Sequence, residues 1–287
     1  MSLNRLVFFA RPKSVASLAS ARFSTAPPVE VYLDRLTGSD AGISVVRMNR
    51  PARKNSLGKL FMKQFKLIID ELKFDKTTRV VIIKSDVPGA FCAGADLTER
   101  KQMSVDEVPV FVNSLRNGFT EVENLPQPVI AAIEGFALGG GLELALACDI
   151  RVATKSAKMG LVETKLALLP GAGGTQRMSR VVGASRAKEL IFTAKIFDGA
   201  EAEKLGVVNH AVDNAYEKSL DIARQIIPRG PVAVKMAKVA INLGSQGDIT
   251  SGLSVEQQCY AQLVPTADRL EGLQAFAEKR DPVYKGE

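Results

Sequence analysis

The chain has 287 residues, of which 46% are apolar, and its formal charge is +7. A chain of this length and apolar content can bury a sizeable core, which excludes a disordered protein. Lysine, arginine, aspartate or glycine interrupts each apolar run before it reaches the roughly 18 residues of a membrane-spanning helix, so we expect no membrane insertion.

The N-terminal segment is basic. Arg5, Arg11, Lys13 and Arg22 all precede Glu30, the first acidic residue, in a stretch rich in serine and alanine. This composition is typical of a mitochondrial transit peptide, which we predict over residues 1–25, with delivery to the matrix. A basic tail without a targeting role is the alternative. Without these four charges the chain has 34 basic and 31 acidic residues, which is near balance.

The first half of the chain alternates strand-like and helical patterns. Runs of β-branched residues at 43–48, 79–84 and 128–133 predict strands, and residues 149–153 predict another. Residues 57–73 are predicted to form a helix whose apolar side chains share one half of the helical wheel: Leu60, Phe61, Phe65, Ile68, Ile69 and Leu72. Strands that alternate with helices indicate an α/β core.

The last third of the chain is predicted to be mainly helical. The proline- and glycine-containing residues 228–231 are its clearest break, so a helical appendage is expected to begin between residues 215 and 231. We divide the chain into a core at 26–215 and a helical C-terminal region at 216–287. The predicted helices cover residues 185–194, 199–205, 213–226, 231–243, 250–262 and 266–280.

Cysteine and histidine indicate no metal site. Cys92, Cys148 and Cys259 include no CxxC pair, and we interpret them as buried reduced thiols. His210 is the single histidine of the sequence and lies in a strand-like run, where a structural or surface role is expected.

Three segments rich in glycine and other small residues are candidates for ligand binding. They are residues 91–97, residues 139–143, and Glu163 together with residues 170–175. Small residues let backbone amides approach a ligand closely, although tight turns alone would also explain them. Gln176 stands where a dinucleotide fingerprint needs glycine, so a nucleotide is disfavoured.

Two glutamates accompany these segments. Glu143 lies in the first turn of an apolar helical pattern, where burial raises a carboxyl pKa and the helix dipole lowers it. Glu163 follows 20 residues later, after a strand and a turn, and could return to the same end of the sheet. We predict an acid/base pair, and the alternative for each is a cap or an ion pair.

One helix face is basic. Lys59, Lys63 and Lys66 fall within a narrow arc opposite the apolar face of helix 57–73. A solvated surface is one interpretation and a phosphate-contacting stripe is the other. The near-balanced charge, the lack of interleaved aromatic residues and the absence of known RNA-binding signatures weigh against RNA.

The order and spacing of four motifs resemble the enoyl-CoA hydratase/isomerase (crotonase) family over residues 43–287. The motifs are Arg50-Pro51 with residues 54–57, then residues 92–97, 139–143 and 163–177. The resemblance implies an α/β crotonase (ClpP/crotonase-like) fold, a spiral of ββα units with a helical C-terminal region used in trimerisation. Self-association as a trimer or a dimer of trimers follows from it.

The resemblance also implies an activity, which is addition of water to a 2-enoyl-CoA thioester. Glu143 and Glu163 would be the catalytic groups, and the amides of Ala95 and Gly140 the oxyanion hole. No cofactor is implied beyond the coenzyme A of the substrate. A family isomerase needs only one carboxylate, so the presence of both glutamates favours a hydratase.

The same resemblance places coenzyme A. Backbone groups near Ala93, Ala95, Asp96 and Leu97 would hold it, along with Gly140, and Lys54 would lie near its phosphates. Phe276 and Lys279 would complete the coenzyme A site of a neighbouring subunit.

Residues 160–167, 268–272 and 284–287 narrow the resemblance to one member of the family. That member hydrates a branched dicarboxylic enoyl-CoA of leucine degradation and is also described as binding AU-rich RNA. The alternatives are a general short-chain enoyl-CoA hydratase, an enoyl-CoA isomerase, or an RNA-binding protein with residual hydratase activity.

Overall fold

The computed structural model describes residues 28–287, so the segment predicted as a transit peptide lies outside the described residues. The described part contains ten strands. They are β1 (Val31–Arg35), β2 (Ile43–Met48), β3 (Val80–Ser85), β4 (Ala90–Cys92), β5 (Val129–Ile133), β6 (Phe136–Leu138), β7 (Ile150–Thr154), β8 (Lys158–Gly160), β9 (Phe197–Asp198) and β10 (His210–Val212).

The same part contains eleven α-helices, none of which is long and apolar enough to span a membrane. They are α1 (Lys59–Leu72), α2 (Leu97–Gln102), α3 (Glu107–Glu123), α4 (Gly140–Leu146), α5 (Gly174–Val182), α6 (Ala184–Phe192), α7 (Gly199–Leu205), α8 (Ala215–Ile226), α9 (Pro231–Gly244), α10 (Ile249–Ala261) and α11 (Ala267–Glu278).

Consecutive strands are distributed between two sheets. The larger sheet has the order β1-β2-β3-β5-β7-β10 and is parallel apart from β1, while the smaller has the order β4-β6-β8-β9 and is parallel apart from β9. The pairs β3–β4, β5–β6 and β7–β8 therefore each place their first strand in the larger sheet and their second in the smaller, and helices follow each pair. This is a spiral of ββα units.

The larger sheet separates two apolar cores because successive side chains of a strand point to opposite faces. On β3, Ile83 packs into the core that contains α1, whereas Ile82 packs into the core covered by α8. The predicted apolar face of α1 is confirmed, with Met62 also buried and Leu60 only partly buried.

The C-terminal helices differ from α8. Ala215, Leu220 and Ala223 of α8 pack on the larger sheet, whereas no side chain of α9 is fully buried. The division of the chain after residue 215 stays a prediction, and the packing of α8 is the observation that bears on it.

Candidate active site

The three segments rich in small residues meet at one edge of the smaller sheet. Residues 93–96 follow β4, Gly139 and Gly140 follow β6, and Glu163 comes shortly after β8. These strands are parallel neighbours, with Cys92 opposite Ala137 and Leu138 opposite Gly160, so their carboxyl ends lie side by side. Parallel pairing thus brings together residues that are 20 to 70 positions apart in the sequence.

Two backbone amides at this edge are neighbours. A Cβ atom added to Gly140 would lie 3.8 Å from the amide nitrogen of Ala95. Hydrogen bonds from Leu57 N to Gly94 O at 2.8 Å and from Asp96 N to Leu57 O at 3.3 Å fix the backbone on either side of Ala95. Within residues 28–287, neither the Ala95 nor the Gly140 amide donates a hydrogen bond, so both remain available to an oxygen atom of a ligand.

Glu143 is buried in the first turn of α4, with 3% of its surface exposed. Its Oε1 accepts hydrogen bonds from Ala172 N at 2.8 Å and Gly174 N at 2.7 Å. Burial raises the pKa of this carboxyl, and the two amides and the nearby Arg177 oppose that rise. Its Oε2 accepts no hydrogen bond from the described residues, so one carboxylate oxygen is anchored and the other is free.

Glu163 has different surroundings. It begins a short 3-10 turn and is half-buried, and its Oε2 is buried without a hydrogen-bond partner among residues 28–287. Burial, followed by the negative charge of Glu143, raises the pKa of Glu163 to about 7. A carboxyl group with this pKa is present in both protonation states near neutral pH.

Gly139 contacts both glutamate residues. Its backbone has φ 51° and ψ −123°, and the positive φ favours glycine. Glu143 N donates to Gly139 O at 3.0 Å, and a Cβ atom added to Gly139 would lie 3.1 Å from Glu163 Oε1. The Glu143 backbone and the Glu163 carboxyl group therefore both adjoin the Gly139–Gly140 peptide, which carries the free Gly140 N–H. The charge of the Glu143 carboxyl group reaches this place as well, since it raises the pKa of Glu163.

The residues that follow β4, which are predicted to bind coenzyme A, lie beside this site. Ala93 and Leu97 are exposed, and Ala93 N donates to Lys54 O at 3.0 Å, which places Lys54 next to the turn. The Asp96 carboxylate caps α2 through Thr98 N and pairs with Arg50 at 2.9 Å. The carboxylate and the N–H of Asp96 are therefore both engaged within the chain, and only its carbonyl oxygen, which accepts from Arg100 N at 2.9 Å, has a lone pair left for a ligand.

Phe276 and Lys279 are not brought to this edge by contacts within the chain. They lie at the C-terminal end of α11, where Phe276 is 86% exposed and Lys279 has left-handed backbone with φ 55°. In the described part of the chain, neither forms a hydrogen bond or ion pair with the three segments. Their assignment to the site of a neighbouring subunit stays a prediction.

The basic face of α1 is partly neutralised by acids. Lys59 pairs with Glu107 at 3.4 Å, and Lys66 pairs with Asp70 at 3.2 Å and with Glu121 at 3.3 Å. Lys63 is exposed and forms no ion pair with any residue that the structure describes. These pairs fit a solvated surface, and the RNA interpretation stays a prediction.

The anchoring of Glu143 was not predicted from the sequence. The segment 170–175 was interpreted as backbone that approaches a ligand, but two of its amides bind the Glu143 carboxylate. A buried carboxylate on an apolar helix needs donors, and that need is the one signal that could have linked Glu143 to a glycine-rich segment.

Cysteine and histidine supply no polar side-chain group to this site, although Cys92 ends β4 beside it, where its thiol donates to Asn55 O at 3.0 Å. Cys92, Cys148 and Cys259 are buried free thiols, and His210 begins the edge strand β10. Among residues 28–287 there is no group of three or more histidine, cysteine, aspartate or glutamate side chains suited to hold a metal ion.

Comparison with known proteins gives consistent results. The family model "Enoyl-CoA hydratase/isomerase" matches residues 38–287. Human mitochondrial methylglutaconyl-CoA hydratase is 56% identical over 264 residues, which cover 90% of this chain and 78% of that protein. Mouse enoyl-CoA hydratase domain-containing protein 2, also mitochondrial, is 51% identical over 272 residues, covering 93% of this chain and 92% of that protein.

Solved structures match as well. The crystal structure of an enoyl-CoA hydratase from Bacillus anthracis superimposes with a TM-score of 0.87 at 46% identity, covering 90% of this chain and 100% of that one. The crotonase fold predicted from the sequence is confirmed. The matched family model and these relatives show that the chain belongs to the enoyl-CoA hydratase/isomerase family.

Proposed function

We propose that the protein adds water across the double bond of a 2-enoyl-CoA thioester, with Glu143 and Glu163 as the catalytic residues. The observation that carries this proposal is that Glu163 Oε1 lies against Gly139, beside two unused backbone amides, while the Glu143 carboxyl group is close enough for its charge to raise the pKa of Glu163. The family resemblance supports the thioester substrate, and coenzyme A enters as part of that substrate.

The amides of Ala95 and Gly140 would bind the thioester oxygen. When water attacks the β-carbon of a conjugated thioester, negative charge develops on that oxygen. Two fixed N–H donors would stabilise the enolate, and each donor in such a site contributes about 3–4 kcal/mol. No redox step occurs in this reaction, and the proposal requires no cofactor.

The two glutamates would divide the proton transfers. Anchoring of Oε1 leaves Oε2 of Glu143 to accept a proton from the attacking water, whose oxygen bonds to the β-carbon. Glu163, with a pKa of about 7, would give its proton to the α-carbon. A proton passing from Glu143 to Glu163 through solvent then restores both groups, and because their charges interact they titrate as a pair.

Replacement of Glu163 tests this assignment. In Glu163→Gln we expect the kcat for crotonyl-CoA hydration to fall about 10²- to 10⁴-fold, since an amide cannot supply the α-proton. The loss of absorbance of the conjugated thioester measures the rate. Glu189→Gln, the same change at an exposed position on α6, is the control. Near-normal hydration by Glu163→Gln would refute the proposal.

A matching experiment separates hydration from isomerisation. Hydration in ¹⁸O-labelled water places the label in the product, whereas a shift of the double bond does not. Mass spectrometry of the acyl product therefore distinguishes the proposed hydratase from an isomerase.

For the substrate we propose 3-methylglutaconyl-CoA, converted to 3-hydroxy-3-methylglutaryl-CoA in leucine degradation. The support is the identity of 54–56% to mammalian proteins named methylglutaconyl-CoA hydratase. A kcat/KM that is higher for 3-methylglutaconyl-CoA than for crotonyl-CoA is the expected result. The opposite order would favour a general short-chain hydratase.

We further propose that the C-terminal helices mediate assembly as a trimer or a dimer of trimers. Several large apolar side chains are exposed on α9–α11, and an exposed apolar surface is typical of a subunit interface. They include Ile241, Leu243, Ile249, Leu253, Leu270, Leu273 and Phe276. The mitochondrial relatives and the basic N-terminal segment together support a location in the mitochondrial matrix.

A further inference from the structure

The loop that anchors Glu143 is itself held by two arginines. Nε and Nη2 of Arg116 donate to Gly171 O at 3.0 and 2.9 Å, and Nη1 of Arg177 donates to Ala172 O at 3.1 Å. Arginine suits this task because its planar fork presents several donors in a fixed geometry. Two consecutive carbonyl groups of the loop are thus oriented by side chains.

Helix α3 supplies a rigid support for these contacts. Arg116, Thr120 and Glu123 lie at helical spacing on one face of α3, and both Thr120 Oγ1 and Glu123 Oε2 accept hydrogen bonds from Arg177, at 3.2 and 2.6 Å respectively. One turn earlier, Val112 abuts Gly171, where an added Cβ atom would lie 2.8 Å from Val112 Cγ1. The loop therefore packs against one continuous surface of α3.

The geometry of the peptide unit links Arg116 to Glu143. The Gly171 carbonyl and the Ala172 amide belong to the same planar trans peptide, in which C=O and N–H point in opposite directions. Because Arg116 binds this carbonyl on one side, the Ala172 N–H points to the other side, where it meets Glu143 Oε1 at 2.8 Å. Rotation of this peptide would move the donor away from the carboxylate.

We propose that Arg116, assisted by Arg177, is a positioning residue for the proposed hydration. It holds the peptide between residues 171 and 172 so that the anchored Glu143 directs its free oxygen at the attacking water. Arg116 does not touch the reacting atoms. The inference rests on the proposed hydratase function and adds a role for α3.

The charges of both arginines have a second effect. They act on Glu143 in the direction that lowers its pKa, against burial, which raises it. Removing either positive charge should therefore raise the pKa of Glu143 further, because the ionised carboxylate loses a favourable interaction. A change in the pH profile thus distinguishes positioning of Glu143 from a general loss of stability.

The test compares Arg116→Gln, Arg116→Lys and Arg180→Gln in the full chain with crotonyl-CoA. Arg116 is exposed, so we expect Arg116→Gln to fold, and its thermal midpoint reports whether it does. We expect kcat to fall about tenfold with KM little changed, because a small misplacement of a catalytic group is costly. The acidic limb of the kcat profile should move to higher pH, and Arg116→Lys should recover part of both effects.

Arg180→Gln is the matched control. Arg180 lies on α5 and is exposed like Arg116, but among residues 28–287 its guanidinium bonds only to Gln176 of its own helix. We expect its rate and pH profile to match those of the unmodified protein. An unchanged kcat and acidic limb in Arg116→Gln would overturn the inference. If Glu143→Gln also retained hydration, the proposed function would fail; if Glu143→Gln were inactive, only the role of Arg116 would fail.

Discussion

Glu143 and Glu163 lie at the same edge of the smaller sheet, but their carboxyl groups have different hydrogen-bonding surroundings. At Glu143, two backbone amides bind one carboxylate oxygen, and the loop supplying them is braced by α3. At Glu163, one carboxylate oxygen is buried without a partner. Hydrogen bonds from amides favour the ionised form, whereas burial without them favours the neutral form. Local donors, more than residue type, therefore separate a base from an acid.

The largest expected effect comes from disturbing the loop whose amides anchor the Glu143 carboxylate. A Cβ atom on Gly174 would lie 2.9 Å from Glu143 Oε1 and 2.8 Å from Pro170 Cβ. In Gly174→Ala we expect kcat to fall about 100-fold, because the carboxylate must move away from its two donors. Steady-state hydration kinetics measure this loss.

Gly247→Ala is the control for that substitution, since its Cβ would make only an ordinary contact, 3.6 Å from Ser251 Cβ. Gly174→Ala with normal kcat would show that the anchored position of Glu143 is not required.

The second-largest expected effect is the titration of Glu163 near neutral pH. With a folded pKa of about 7, raised well above the usual range of a glutamate carboxyl group, Glu163 loses its proton as the pH rises through neutrality. Hydration that needs the protonated acid should therefore decline above about pH 7. Carboxyl ¹³C NMR should show one glutamate titrating near pH 7, assigned by its absence in Glu163→Gln.

Glu143→Gln sharpens the same measurement. It removes a negative charge that raises the pKa of Glu163, so the titration should move to lower pH. A titration midpoint that stays in place would show that the two carboxyl groups do not interact.

The smallest expected effect is at the basic face of α1, away from both carboxyl groups. We expect alanine at Lys59, Lys63 and Lys66 together to leave kcat unchanged. Two of the three lysines are engaged by acids, so we also expect little change in RNA affinity. Binding measured over a range of salt concentrations checks this, because lost phosphate contacts would flatten the salt dependence. A clear loss of affinity would instead establish a phosphate-contacting face.

Local patterns predicted much of the fold. The residues of α1 repeat their apolar side chains at helical spacing, and the observed helix differs from the predicted bounds by only two residues at its start and one at its end. The β-branched runs likewise predicted β2, β3 and β5, and residues 149–153 predicted β7, all within one residue at each end. The bounds of α3 were not predicted, although Arg116 of this helix holds the loop that anchors Glu143.

The sequence by itself determined the α/β class, the helical C-terminal third, the three segments rich in small residues and the two candidate glutamates. Each is a local property, visible in residue type and spacing. The tertiary structure alone decided that Ala172 and Gly174 anchor Glu143, that Gly139 adjoins the Glu163 carboxyl group and that Arg116 holds the loop. These contacts join positions up to 55 residues apart, and their geometry depends on parallel strand pairing and on peptide orientation, which no local pattern encodes.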